Sequence, residues 1–251
     1  VPWWATSMGS HFVNTVFDKR MQPIRLDVTN NTIVNRNMNR EPAKVLRTTY
    51  SKQPDVLAAK VDWQDIPPCH LRTLNYKDVT PQWWESSDVT VGLSPDVPKA
   101  DIAYAYIFNW GKWRPAWWGE VRGDSVTFSN MPKGIVILPV YYKHGRVVQA
   151  GYPQVHAYNH ELQLTPDTVH RRTVEIKQQD GYLIFRPGKE YELFYWDKVW
   201  KSLGTQIAEE GKTSIFFENA PDNVLFRLIP EYSVDKERPF IIMQDGTRYW
   251  W

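Results

Sequence analysis

Two stretches of this chain echo each other at a distance of nearly ninety residues. "FNWGKWRP", residues 108 to 115, returns as "FYWDKVWKS", residues 194 to 202, and "SVTFSNMPKGIVIL" returns as "SIFFENAPDNVLFRL". Trp110 corresponds to Trp196, Asn130 to Asn219 and Pro132 to Pro221, with an offset that drifts from 86 to 89 residues. Small loop insertions produce such a drift. The echo therefore predicts two tandem modules of one architecture, each large enough for a single core.

The architecture is legible in the punctuation. From Ser86 onward, short runs such as "ADIAYAYIFNW", "DSVTFSN", "GIVILPVYY", "YELFYW" and "TSIFFEN" are cut by Gly, Pro, Asn and Asp at the spacing of antiparallel strands. There is no alternation of strands with helices, which argues against a parallel α/β sheet in this region. The expectation is two antiparallel β-sandwiches, at 87–173 and 174–251. Residues 1–86 form a different unit. They mix strand runs, His11 to Phe17 and Ile24 to Thr29, with a short helix expected from Pro54 to Lys60, where the proline suits a helix start.

Composition excludes several classes. A formal charge of +2, with Lys and Arg scattered, gives no electrostatic case for nucleic acid. No stretch approaches the roughly 18 apolar residues of a membrane-spanning helix. One cysteine, Cys69, excludes an internal disulfide framework and a cysteine-only metal site. No charged leader followed by an apolar run opens the chain, so no signal peptide is read there. Thirteen Trp, thirteen Tyr and ten Phe suit both β-sandwich cores and sugar-binding surfaces.

The first 28 residues carry the sharpest chemistry. In "GSHFVNTVFDKRMQPIRLDV" a hairpin would set His11 and Asp27 on adjacent antiparallel strands, because "FDKRMQP" is of hairpin-loop length. Thiol acyl transfer needs a base to take and return a proton and a carboxylate to orient that base. For an arbitrary His and Asp, a purely structural role is the commoner one.

These residues resemble the His and Asp strands of the transglutaminase-like superfamily, the papain-related Cys-His-Asp enzymes. Gly9, His11, Val13 and Asn14 match its Gly-x-His-x-Trp-Asn-type strand, with Val13 in the place of an aromatic residue, and Asp27 matches the Asp that ends the next strand. "EPAKVLRTTYSKQ", "NYKDVTPQWWESSDVTV" and the stretch from Lys112 to Pro153 are similar to secreted Bacteroidetes proteins in which a transglutaminase-like domain precedes β-sandwich modules. The resemblance implies a mainly β chain: the C-terminal part of an α+β transglutaminase-like domain in 1–86, followed by the two sandwiches. It implies thiol acyl transfer on peptide or amide bonds, with His11 as general base and acid and Asp27 as its orienter, no cofactor, and a secreted, periplasmic or outer-membrane surface location. The family's nucleophilic cysteine stands at a helix start upstream of the His, where the dipole lowers the thiol pKa. This chain has no such segment, so a missing N-terminal segment of the same protein would have to supply it. Cys69 in "IPPCHL" lacks a helix start, and a structural cysteine is its ordinary reading.

A second candidate is "NWGKWRPAWWGE". Flat aromatic faces beside polar groups grip sugars, and Trp113, Trp117 and Trp118 with Arg114 could form such a platform. The same rings could instead fill small cores and seams. Trp110 and Trp196 recur in both modules and so suit a scaffold role, whereas the Trp117 and Trp118 pair has no counterpart. The alternative to the enzyme is thus a non-catalytic, glycan- or protein-binding surface protein. Weaker signals carry less. "GTQIAEEGKT" has Gln206 where a phosphate loop needs its first glycine, and the two His of "HAYNHE" would converge on a metal only in a helix. Asp101, Glu120 and Asp124 define no glycosidase pair without their separation in space.

Overall fold

The computed structural model describes residues 3–8, 11–17, 23–27, 32–34, 44–48, 57–61, 76–78, 80–82, 84–93, 95–97, 99–109, 112–157, 161–178, 185–229 and 239–250. Side chains are described from Asp78 onward, apart from residues 82, 109, 112, 249 and 250. The chain is mainly β, built of several antiparallel sheets.

The opening sheet has seven strands: β1 (Trp3–Met8), β2 (His11–Phe17), β3 (Pro23–Asp27), β4 (Thr32–Val34), β5 (Lys44–Thr48), β6 (Leu57–Val61) and β7 (Tyr76–Asp78). Their order is β4-β3-β2-β1-β6-β5-β7. All neighbours are antiparallel except β1 and β6, which run parallel from Ala5 opposite Leu57 to Met8 opposite Lys60. The helix expected from Pro54 to Lys60 is corrected by β6, which takes up Leu57–Val61. Between β1 and β5, this segment satisfies its backbone groups in two ladders at once. Tertiary pairing of that kind overrides a weak local helix preference.

After a short 3-10 turn at Thr80–Gln82 comes β8 (Ser86–Gly92), followed by β9 (Ile102–Asn109), β10 (Lys112–Arg122), β11 (Ser125–Pro132) and β12 (Ile135–Lys143). Three shorter strands complete this sheet: β13 (Arg146–Ala150), β14 (Gln154–His156) and β15 (Glu161–Gln163). The order is β15-β14-β12-β9-β10-β11-β8, with β13 also on β12. Strand β10 belongs to two layers. It pairs with β9 from Lys112 to Glu120, past a bulge at Ala116, and with β11 only at Val121 and Arg122. The β11 and β8 layer thereby folds over one face of β9 and β12. Val89, Val91, Val126 and Phe128 meet Ala103, Ala105, Ile135, Ile137 and Tyr141 in one buried cluster, which gives the sandwich.

The second sandwich contains β16 (Arg171–Lys177), β17 (Glu190–Trp196), β18 (Trp200–Ile207), β19 (Ser214–Pro221), β20 (Phe226–Ile229), β21 (Phe240–Ile242) and β22 (Arg248–Trp250). A two-stranded layer, β16-β19, covers a five-stranded one, β18-β17-β20-β21-β22. Its core holds Val174 and Ile176, Tyr191 and Leu193, Ile215 and Phe217, and Phe226, Leu228 and Phe240. The expected division at 173/174 falls inside β16.

A third cluster joins the two. On the outer face of the first sandwich, Ile102, Tyr104, Val136, Leu138, Val140 and Tyr142 share one buried cluster with Trp196, Leu225 and Ile241 of the second. Strand β12 is consequently buried on both faces, from Ile135 to Tyr142. That is why "IVILPVYY" reads as an unbroken apolar run rather than an alternating one. Pro139 is tolerated in this central strand because its nitrogen lies on the side where β14 gives way to β13. Its carbonyl on that side accepts the Gly151 N–H at 2.7 Å, so no ladder donor is lost.

Candidate functional site

The expected hairpin is present as backbone. Strands β2 and β3 pair antiparallel, Asn14 opposite Leu26 and Phe17 opposite Pro23. Carried one residue further, that register sets Asp27 opposite Val13. Asp27 and His11 are then diagonal neighbours on one face of the sheet, at positions roughly 7–8 Å apart along the backbone. The His11 and Asp27 side chains lie outside the described residues, as do Cys69, Trp110 and His160.

The aromatic candidates separate into two groups. Trp117 and Trp118, opposite Ala105 and Tyr104, are half-buried, with ring centroids 6.4 Å apart and planes inclined by 34°. Trp117 Nε1 donates to Ser129 Oγ at 3.3 Å, a bond across from β10 to β11. Arg114 is half-buried on the same strand, opposite Ile107. Trp113 is engaged elsewhere. It stands edge-on to Phe108 at 5.2 Å and to Trp196 at 5.6 Å, and stacks on Trp200 at 6.5 Å with only 13° between the planes. All four rings come from the two segments that echo each other in sequence, and they form the seam between the sandwiches.

Beside that seam lies a polar group that the sequence did not single out. The turn of the β17–β18 hairpin carries Asp197 and Lys198. Tyr152 Oη donates to Asp197 Oδ1 at 3.0 Å, Lys201 Nζ donates to Asp197 Oδ2 at 2.5 Å, and Lys198 pairs with Asp96 while lying 5.6 Å over the Tyr152 ring. Burial and the bond to Asp197 push the Tyr152 phenol up to about 12. Burial raises Asp197, but the hydrogen bonds from Lys201 and Tyr152 outweigh it and leave this carboxyl below its usual range. Asp96 and Tyr152 are separated widely in sequence from the hairpin turn that carries Asp197 and Lys198, so periodicity gives no signal of the group.

His156 forms the other buried polar centre. Its Nδ1 is 3.1 Å from Glu161 Oε1, and its Nε2 is 3.2 Å from the Met131 carbonyl and 3.4 Å from Ser87 Oγ. Burial, reinforced by the Lys133 charge, holds the imidazole below its ordinary range against the opposing pull of Glu161 and the Met131 carbonyl. Residues His156 and Glu161 face each other across the β14–β15 hairpin. The pair therefore ties a hairpin to the core, and among the described residues no group of three or more His, Cys, Asp or Glu is placed to hold a metal ion.

Fold and geometry together define a mainly β protein with sandwich character and an aromatic seam. No family model matches the chain, and no curated protein or solved structure is significantly similar to it. Among the described residues no helix is long and apolar enough to cross a membrane.

Proposed function

We propose that this chain is part of a secreted or surface-attached transglutaminase-like protein that performs thiol acyl transfer on peptide or amide bonds. One observation supports the reading above the others: β2 and β3 are antiparallel neighbours, paired from Phe17 opposite Pro23 to Asn14 opposite Leu26, so the start of β2 and the end of β3 lie at the same end of the hairpin. There His11 would take the proton from a thiol and return it to the leaving amine, while Asp27 would hold the imidazole in one tautomer. In this reading the thiol would come from a segment of the same protein outside these 251 residues. It would attack the amide carbonyl, expel the amine and leave an acyl-enzyme for water or a second amine to resolve.

The test uses the natural protein, whose intact mass is compared with the 29.5 kDa of these 251 residues before native labelling with iodoacetamide. A larger mass, with a second thiol that reacts faster than Cys69 and slows at least tenfold in His11→Ala, is the expected result. A mass of 29.5 kDa with Cys69 alone labelled, and slowly, would overturn the reading.

Trp117 and Trp118 favour a second reading, that of a glycan- or protein-binding module. Two partly buried indoles inclined at 34°, one fixed by Ser129 and both packed against the cluster that joins the sandwiches, leave part of their apolar surface beside polar groups. Titration with soluble oligosaccharides, followed by tryptophan fluorescence, should show saturable binding that Trp118→Ala weakens at least tenfold. Unchanged affinity in that variant would remove these rings from the reading.

A further inference from the structure

Tandem domains move relative to each other by default, because the surfaces between them are modest and polar. The joint between these two sandwiches is of another kind. Trp196, Leu225 and Ile241 of the second are at most 6% exposed and belong to the same buried cluster as β9 and β12 of the first. Trp196 donates its Nε1 proton to the Gly151 carbonyl at 3.1 Å, and its backbone N–H goes to the Leu225 carbonyl at 2.9 Å. One residue is thus hydrogen-bonded to both modules, by its side chain to the first and by its backbone to the second.

The receiving surface is held in shape by contacts within the first sandwich. The Gly151 N–H is bonded to Pro139, and a Cβ at Gly151 would come within 2.9 Å of Pro139 Cγ, so only glycine lets the loop lie this close to β12. Beyond Trp196 the turn is tight, with the Asp197 N–H donating to the Val199 carbonyl at 2.9 Å and Lys198 in the left-handed region at φ 63°. A lysine there costs backbone energy that glycine would not. Its side chain pairs with Asp96 and covers Tyr152, both of the first sandwich. Trp200 then closes the seam by stacking on Trp113, and Arg227 lies 5.4 Å over Phe108.

We infer that the tip of the β17–β18 hairpin, Trp196 to Trp200, is a latch that makes the two sandwiches one cooperative body rather than two hinged domains. Its aromatic rings supply the affinity, since they leave water completely or in large part. The charged group at Asp96, Tyr152, Asp197 and Lys198 fixes the register, because pairs this exposed contribute little binding energy of their own. The conformation of Lys198 follows from its partners rather than from the turn.

Native-state hydrogen exchange of the full chain in rising denaturant tests this, because it reads each strand separately. The expected result is a single opening event shared by amides of β12 and β17, with the same denaturant dependence. In Trp200→Ala, β17 should exchange at least tenfold faster than β12, so that the shared event divides. If the two strands open independently in the unaltered protein, the inference is overturned. Trp200→Ala could unfold the second sandwich outright, and Lys198→Gly covers that case. It leaves the core intact, and it should speed β17 exchange several-fold although glycine suits the turn better. Slower exchange in Lys198→Gly would show that the lysine only strains the turn, and would also overturn the inference.

Discussion

Asn130 and Asn219 show how a single residue can be chosen twice for one reason. Each sits in a bulge: Ser129 and Asn130 oppose Asp88 alone, and Glu218 and Asn219 oppose Thr173 alone. Each has positive φ, 47° and 58°. Asparagine enters that region more readily than other side-chain-bearing residues, so the echo in the sequence records a backbone requirement. The two differ in what the side chain does. Asn130 Nδ2 donates to Asp78 Oδ2 at 3.2 Å and its N–H donates to Asp88 Oδ1 at 2.9 Å, which ties the bulge to the end of the opening sheet, whereas Asn219 is exposed. In urea denaturation, Asn130→Gly should therefore cost about 1 kcal/mol for the lost side-chain bond, and Asn130→Ala about 2 kcal/mol because the backbone term is added. Asn219→Gly should cost almost nothing. A larger loss for glycine than for alanine at either position would remove φ as the common cause.

Hairpins carry the next level of organisation, and β14–β15 is the one that senses acid. Neutral His156 is buried in the native state, while in the unfolded chain an imidazole titrates near 6.5. A group whose folded pKa is depressed contributes its full stability above the unfolded pKa and loses it as pH falls toward the folded one. The melting temperature should accordingly be flat above about pH 7 and fall as the pH drops below about 6.5, and His156→Gln should flatten that fall. A wild-type curve that rises over the same interval would mean that Glu161 and the Met131 carbonyl prevail over burial. The sequence did give the elements on either side of this pair. Alternation and turn residues marked β9, β11, β12, β17 and β19 after Ser86, whereas in the opening unit Leu57–Val61 followed its neighbours and not its local preference. His156 itself was read only as one of two His in a strand, since nothing in "HAYNHE" announces which partners a folded core will bring.

At the scale of the whole molecule the layers meet where side chains are absent. A Cβ at Gly119 would lie 2.4 Å from the Thr127 carbonyl and 2.8 Å from Val126 Cγ2, so β10 and β11 can cross here only with glycine. Gly119→Ala should cost about 3 kcal/mol, measured by urea midpoint at unchanged slope, since backbone and not a flexible side chain would have to give way. An effect below about 1 kcal/mol would mean that the layers can part without loss. The sequence by itself determined the mainly β class of fold and the hairpin that pairs β2 with β3, because strand periodicity, turn chemistry and backbone requirements such as that of Asn130 are local. Only the tertiary structure decided which tryptophans meet. Trp113 went to the seam with Trp196 and Trp200, while Trp117 and Trp118 stayed together on the other side of a bulge. Ring contacts depend on how two sheets approach each other, and that approach is set by buried area summed over the whole chain, which no stretch of sequence contains.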